Sequence, residues 1–541
     1  MKRSVRRLRL VLFAAVGLAL FILINWRAAP DAEQSLQNGP GPRIAKTEAA
    51  ETAKRFVGAL SKATANVGLV TVQSDQTLSG YLQKTGLYGD YAKTYMSRVP
   101  LDYFRVELHT ADEETYLVDI GMDGGEPFGW RKRTDLEPPE PEAGRRIAEA
   151  YMARHNIPIG EYEWTGGPDA EHGMFIYTHR TAKIGDARLE LRLEVRGDEV
   201  VAFRYAFRVP DAYLAWLAAQ DAASSAMTRW SLILSALLGV AATAAAVSHR
   251  RRAAFSRGLL PTVVFAAVYT VNNFNLFPAY KAVGSESADP FQSGDYAAAA
   301  IVIMQLLTVG MSAATYVSLV AGDAMWRRFG RPAWPRWREA GFGQATLVGM
   351  GRGYLLACGL IGVQSVLFWI AWRQFGAWAV NDPSQSLYNM FKPALFPLMA
   401  WAAAISEEAV YRLFGIALFK KLFRSTFLAV LVPSVIWALS HTQYAIYPVY
   451  TRFAEVTVLG LIFGYAFLRY GFLAVLFAHA SFDSLLMSLS LIDAEGSGSV
   501  VYGLGYVALP AVIAVAIRAM HGAITKKKGQ KTKTPADRPD A

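Results

Sequence analysis

Apolar runs long enough to cross about 30 Å of hydrocarbon as a helix, roughly 17–25 residues, recur near 9–26, 229–247, 257–276, 296–321, 346–372, 393–419, 426–446, 453–469, 472–491 and 499–519. They predict an α-helical polytopic membrane protein of about ten spans. The interval 27–228 interrupts the series and changes its period. A polar stretch containing Pro and Gly over 28–43 gives way to an amphipathic helix over 47–61. Alternating apolar and polar positions follow in YFRVELH, TYLVDIGMD and PFGWRKR. A second helix, EAGRRIAEAYMARH, precedes MFIYTHR, RLELRLEV and EVVAFRYAFRV. The interval reads as an inserted α+β domain that uses a helix-plus-three-strand unit twice, with MDGGEP and RGDEV as corresponding hairpin turns.

Composition supports this division. A chain with 53% hydrophobic and 18% charged residues and a mean hydropathy of +0.21 is too apolar to be wholly soluble, yet carries enough charge for a water-facing domain. Its net charge is +11. The Lys and Arg runs KRSVRRLR, HRRR, WRRFGRPAWPRWR, FKKLFR and KKKGQKTK stand beside apolar runs, so they read as cytoplasmic anchors and not as a nucleic-acid surface. With Met1 inside, alternation puts these basic loops and both termini in the cytoplasm of a multi-pass cell-membrane protein. Residues 27–228 and the loops at 277–295 and 373–392 then lie outside. The first run has the basic and apolar parts of a secretory signal peptide, but it is long and WRAAPDA is a poor cleavage site, so it reads as a signal anchor.

The inserted domain resembles, in pattern alone, the small PepSY-type helix-and-sheet modules of exported bacterial proteins. Its expected role is that of a spacer or a receptor for a ligand or protein partner. His109, His155, His172 and His179 are scattered through it without metal-ligand spacing. The single cysteine, Cys358, lies in an apolar run and excludes an intrachain disulfide framework.

Candidate chemistry lies where ionisable groups interrupt apolar runs, because each such group costs about 2.5–3.5 kcal/mol at the centre of a span. Glu407, Glu408 and Arg412 do so in ISEEAVYRLF, His441 at the end of WALSHTQY, and His479 and Asp483 in FAHASFDSL. On an α-helix Glu408 and Arg412 share a face and form an ion pair, whereas Glu407 points about 100° away and lacks a local cation. Glu407 is therefore the candidate general base and Glu408 a brace. Asp483, four residues from His479, is placed to orient that ring, and Trp437, four residues from His441, to wall the pocket. The span limits put His441 and His479 about 10 Å apart in depth. A purely structural polar network would not need two histidines and a second glutamate. Arg352 reads as a snorkelling residue, Asp323 and Glu455 as interface groups, and Tyr447, Tyr450, Trp326, Trp334 and Trp378 as aromatic belts.

EEAVYR, WALSH and HASFD, in this order and on separate runs, resemble the EExxxR, FxxxH and HxxxN or HxxxD motifs of the CPBP intramembrane proteases. That family includes the CAAX prenyl endopeptidases and the Abi proteins. Trp437 replaces the usual Phe, and Asp483 stands where prenyl endopeptidases usually have Asn. The resemblance covers roughly 340–520. It implies peptide-bond hydrolysis within the membrane by Glu407, Glu408, His441, His479 and Asp483, supported by Arg412 and Trp437, on a membrane-anchored protein or peptide substrate. The layout that follows is a signal anchor at 1–26, the extracytoplasmic domain at 27–228, spans of no assigned role at 229–340, a protease core at 341–520 and a basic cytoplasmic tail at 521–541. Glu407, His441 and His479 could instead hold zinc, but HExxH is absent and metal-free chemistry is preferred, so no cofactor is certain. The alternatives are a catalytically silent member acting in partner binding, immunity or secretion, and an ion-coupled transporter. The transporter is disfavoured by the lack of a repeat of spans.

Overall fold

The computed structural model describes residues 2–28, 43–165, 168–286 and 289–531. Most of the linker expected at 28–43 and the end of the tail expected at 521–541 lie outside the described residues.

The α+β region comprises α2 (Lys46–Ser61), β1 (Ala65–Ser74), α3 (Gln76–Thr85), α4 (Tyr88–Thr94), β2 (Asp102–Thr110), β3 (Thr115–Gly121), β4 (Pro127–Lys132), α5 (Pro141–Arg154), β5 (Tyr162–Trp164), β6 (Met174–Ile184), β7 (Ala187–Arg196) and β8 (Glu199–Arg208), after the N-terminal helix α1 (Lys2–Ala28). The eight strands form one sheet in the order β1-β2-β3-β4-β8-β7-β6-β5, with every neighbouring pair antiparallel. Each half has four strands where three were expected. The missed strands are weak in sequence: β1 carries an irregularity between Val67 and Val70, and β5 has three residues. Helices α2 and α5 cover one face. Ala49, Ala53 and Val57 of α2 and Ala148 and Met152 of α5 are fully buried, in one core with Phe104, Val106, Leu108, Val118, Ile120, Leu191 and Leu193. The alternate residues Tyr103, Arg105 and Asp119 point to the other face, as the period of two requires. The RGDEV hairpin closes where Arg196 pairs with Glu199, leaving Gly197 at φ +55° in the loop, a conformation that glycine adopts without strain.

The remaining chain is mostly helical. It contains α6 (Asp211–Ser248), α7 (Leu259–Asn275), α8 (Phe277–Gly284), α9 (Ser293–Arg328), α10 (Phe342–Phe375), the two-residue strand β9 (Trp378–Ala379), α11 (Met399–Glu407), a π-helix (Glu408–Gly415), α12 (Ile416–Phe423), α13 (Thr426–Leu439), the two-residue strand β10 (Ile446–Tyr447), α14 (Val449–Tyr470), α15 (Phe472–Glu495) and α16 (Val500–Lys531). Among the described residues seven helices are long and apolar enough to cross a membrane: α1, α6, α9, α10, α14, α15 and α16. The pair α7 and α8, bent by 47°, makes an eighth if it is one span. Pro278 in the first turn of α8 removes a backbone donor at the bend. The expectation of ten counts two further runs. One falls on α11, the π-helix and α12, where Glu407, Glu408, Arg412, Lys420 and Lys421 depress the hydropathy. The other falls on α13, whose 14 residues reach about 21 Å.

The two regions are tied together on the loops between helices. The side chain of Asn389 accepts from the Val72 N–H (2.7 Å) and donates to the Val72 carbonyl (2.8 Å), so one residue completes the edge of β1 as a neighbouring strand would. Gln73 donates to the carbonyl of Ala282 (3.1 Å), at the end of α8, and Asn381 donates to Asp102 (2.8 Å). Pairing of β9 with β10 links the chain after α10 to the chain before α14. Helix α1 packs along α10, with Leu10 and Ala14 buried.

Candidate active site

The residues that interrupt apolar runs belong to four elements that meet inside the helical region. Glu407 ends α11 and Glu408 opens the π-helix. The expected α-helix is therefore widened to hydrogen bonds between residues five apart, a form that recurs at functional sites. Trp326 was read as part of an aromatic belt; it is 4% exposed and donates its indole N–H to the Leu413 carbonyl within the π segment (2.8 Å).

Glu408 and Arg412 are buried, at 0% and 1% side-chain exposure, with Glu408 Oε1 3.2 Å from Arg412 Nη1. The same oxygen lies 2.8 Å from His479 Nδ1. Glu408 therefore joins two helices, which a reading of spacing along one helix could not show. On the other side of the ring, His479 Nε2 lies 3.3 Å from Asp483 Oδ2 and 3.7 Å from Glu407 Oε2. The adjacent glutamates thus address opposite nitrogens of one imidazole.

Trp437, near the end of α13, is the centre of the arrangement. Its indole N–H donates to Glu407 Oε2, and the buried Arg412 guanidinium stands 4.1 Å from its ring centroid, a cation–π contact. His441 meets the Trp437 ring edge-on at 5.0 Å and His479 meets it at 5.9 Å. Both histidines therefore reach one tryptophan despite the depth difference expected from the span limits. His441 lies in the turn after α13 and donates Nδ1–H to the Trp437 carbonyl (2.9 Å). A carbonyl can only accept, so this bond sets the tautomer and leaves Nε2 as the acceptor.

Glu455 and Asp323, both read as interface groups, are buried at 3% and 1% exposure. Glu455 accepts from Gln364 of α10 (3.0 Å) and pairs with Arg452. The Arg452 guanidinium lies 4.9 Å from the Tyr444 ring, which stacks on His441. Arg452, Gln364 and Tyr444 escaped notice in the sequence; the three-residue spacing of Arg452 and Glu455 was the available signal. Asp323 is held by Arg257 (2.9 Å) and Arg327 (3.1 Å). Arg352 is exposed, with its guanidinium 5.5 Å from the Tyr470 ring.

Among the described residues no three His, Cys, Asp or Glu side chains form a group that could hold a metal ion. Glu407, His441 and His479 each approach Trp437, and both nitrogens of His479 face carboxylates.

Residues 389–485 match the family described as type II CAAX prenyl endopeptidase Rce1-like. This segment is Rce1-like. The match contains every residue of the cluster, from Glu407 to Asp483, together with Arg452 and Glu455, and bears out the resemblance to intramembrane proteases. The chain is also 28% identical over 93 residues to the sporulation-killing factor biosynthesis protein SkfC of Bacillus subtilis (strain 168), covering 17% of this chain and 19% of that protein. The chain thus spans about a fifth of the length of that relative. No solved structure matches significantly. The apolar helices describe a multi-pass membrane protein, and the matched segment is similar to a family of peptidases.

Proposed function

We propose that the protein is an intramembrane endopeptidase that hydrolyses peptide bonds of membrane-associated proteins or peptides with a water activated by Glu407. One observation carries this reading. Glu407 keeps 22% of its side chain exposed beside the Trp437 indole donor, while its neighbour Glu408 is wholly buried in the brace with Arg412. A base must reach its water, and a brace need not.

In this mechanism Glu407 takes a proton from water as the oxygen adds to the scissile carbonyl carbon, and His441 Nε2 accepts the second water hydrogen and orients the attack. His479, held at Nδ1 by Glu408, stabilises the oxyanion from Nε2, the nitrogen that also faces Asp483. Collapse of the tetrahedral species breaks the C–N bond, and the proton held on Glu407 passes to the leaving amine. The balance needs water alone, and no metal-dependent step is drawn. We further propose ten membrane segments, counting the charged α11–α12 run and α13, with residues 27–228 outside the cell as a receptor or substrate-presenting domain and both termini inside. The core is assigned to 341–520, between the spans of 229–340 and the tail at 521–541.

The test is to express wild type and Glu407→Gln side by side and to compare the termini of membrane proteins by mass spectrometry. Termini present only with wild type are expected. Identical termini with both, at equal expression, would overturn the hydrolase reading and leave a catalytically silent partner-binding protein.

A further inference from the structure

The sheet face turned away from α2 and α5 carries a row of charge at one register. Arg105 of β2 pairs with Asp119 of β3, Asp119 with Gly129 of β4, Gly129 with Arg204 of β8, and Arg204 with Arg192 of β7. Five neighbouring strands therefore present Arg, Asp, Gly, Arg and Arg side by side. Solvated sheet faces usually alternate sign across strands, because like charges directly opposite destabilise pairing. Here Arg204 and Arg192 are opposite each other, Arg192 also donating to Glu190 on its own strand at 2.9 and 3.1 Å.

The row lies in the wall of a cavity of about 620 Å³, within the size range of small-molecule sites, roughly 300–1,000 Å³. Arg105 is 8% and Asp119 5% exposed, so the wall is built into the protein. One carboxylate serves two guanidiniums: Asp119 accepts from Arg105 at 2.7 and 3.0 Å and from Arg204 at 3.3 Å. The other partner of Arg204 is neutral, the Tyr103 hydroxyl at 3.0 Å. A side chain at Gly129 would meet Arg204 Cγ at 3.2 Å, so glycine is what lets Arg204 lie across the sheet to Asp119. Arg131 and Arg208 also line the cavity, against Asp75, Glu194 and Glu286. Burial pushes the Asp75 carboxyl above its ordinary value, which weakens it as a counter-charge. Leu117, Ala202, Ala206 and the Tyr103 ring, on the same face as the row, complete the lining.

We propose that this cavity binds a small organic anion through a carboxylate or phosphate group, with Arg204, Arg192 and the Tyr103 hydroxyl as its donors and Arg105 fixed by Asp119 as the floor. Guanidinium groups match both oxyanions in bidentate geometry, and the Tyr103 ring with the apolar side chains beside it accommodates an organic body. The site is closed by the chain that follows α8: Glu286 lies 2.8 Å from Arg105, and Arg105 donates to the Ser285 carbonyl at 3.0 Å. A ligand bound there also contacts the connection from the sheet to the helical region.

The experiment uses the full-length protein in detergent, titrated with citrate, glucose 6-phosphate and inorganic phosphate at constant ionic strength and followed by thermal melting and calorimetry. Saturable stabilisation by at least one organic probe is expected. Citrate alone would identify a carboxylate ligand, and glucose 6-phosphate a phosphate ester. Arg204→Gln should weaken binding about tenfold or more, the size of one charged hydrogen bond. Arg192→Gln also removes the partner of Glu190, so it should weaken binding when measured at a temperature where wild type and variant are both folded. Arg154→Gln, on α5 across the sheet, should bind as wild type does. No saturable effect from any probe, stabilisation by inorganic phosphate alone, or equal affinity in wild type and both cavity variants would overturn the proposal.

Discussion

Glu408 combines two tasks that spacing along a single helix had separated. Its Oε1 faces both the Arg412 guanidinium and His479 Nδ1, so Glu408→Gln should lose charge balance for a buried arginine and the orientation of the proposed oxyanion donor together. Breaking a buried pair in this way costs about 3–5 kcal/mol. The expected outcome is a clear drop in detergent melting temperature accompanied by loss of cleavage, whereas Glu407→Gln loses cleavage with a melting temperature near wild type. A Glu408→Gln protein as stable as wild type would remove the brace. At the junction of the two regions, Lys46 donates to the carbonyls of Val70 (3.3 Å) and Tyr388, and burial lowers its ammonium from an ordinary 10.5 to about 8. Between those values the folded protein binds fewer protons than the unfolded chain, so this group adds stability as pH rises through the window. The melting temperature of wild type relative to Lys46→Gln should therefore increase from about pH 7.5 to about pH 9.5. A relative value that stays flat or falls would show that Lys46 is not buried as a cation.

Helix packing sets the position of Trp437, and through it the position of Glu407. At Gly460 of α14, an added Cβ would lie 2.8 Å from Ser434 Cβ and 3.1 Å from the Trp437 ring. Glycine there lets α13 and α14 approach closely, the usual device when apolar burial cannot drive helix association in lipid. Gly460→Val should force the helices apart or turn the indole, costing about 1–3 kcal/mol as overpacking does. Because the indole N–H serves Glu407, activity should fall more than stability alone explains. Melting curves and cleavage measured at a temperature where both proteins are folded separate the two effects; unchanged cleavage would mean that Trp437 is a wall without a positioning role.

For the whole molecule, the geometry of α6 favours a domain held clear of the bilayer. Its 38 residues extend about 57 Å, against about 30 Å of hydrocarbon, and its first turn follows directly from β8. A reporter active only in the cytoplasm should be dark when fused near Asp211 and active at Ala541. The opposite result would place the α+β domain inside. The arrangement around Trp437 also predicts that purified protein carries far less than one equivalent of zinc, measured by elemental analysis, and that chelators leave cleavage intact. Stoichiometric zinc lost together with activity would overturn metal-free hydrolysis.

The elements legible in the sequence are those set by local periodicity. A run of apolar residues must form a helix to satisfy its backbone in lipid, and strict alternation must form a half-buried strand, so α6, α9, α10 and α14–α16 and most strands of the sheet follow from the chain itself. Glu407, Glu408, Arg412, His441, His479 and Asp483 stand out for a similarly local reason, since charge within an apolar run is costly wherever it falls. Trp437 came from its spacing to His441 and from the motif that the pair resembles, and nothing local showed it as the centre. The π-helix was hidden because α- and π-turns differ in which carbonyl receives each N–H, a choice made here with Trp326 supplying a donor to the Leu413 carbonyl from another helix. The weak strands β1 and β5 exist because neighbours pair with them, and β1 is completed at its edge by Asn389, 317 residues away from Val72. Glu408 meets His479 across 71 residues, and the arginine row depends on the register of five strands. Sequence determined which groups had to be sheltered from lipid or water. Tertiary structure decided which groups face one another, because hydrogen bonds and ion pairs act over a few ångströms and their partners are set by the packing of distant elements.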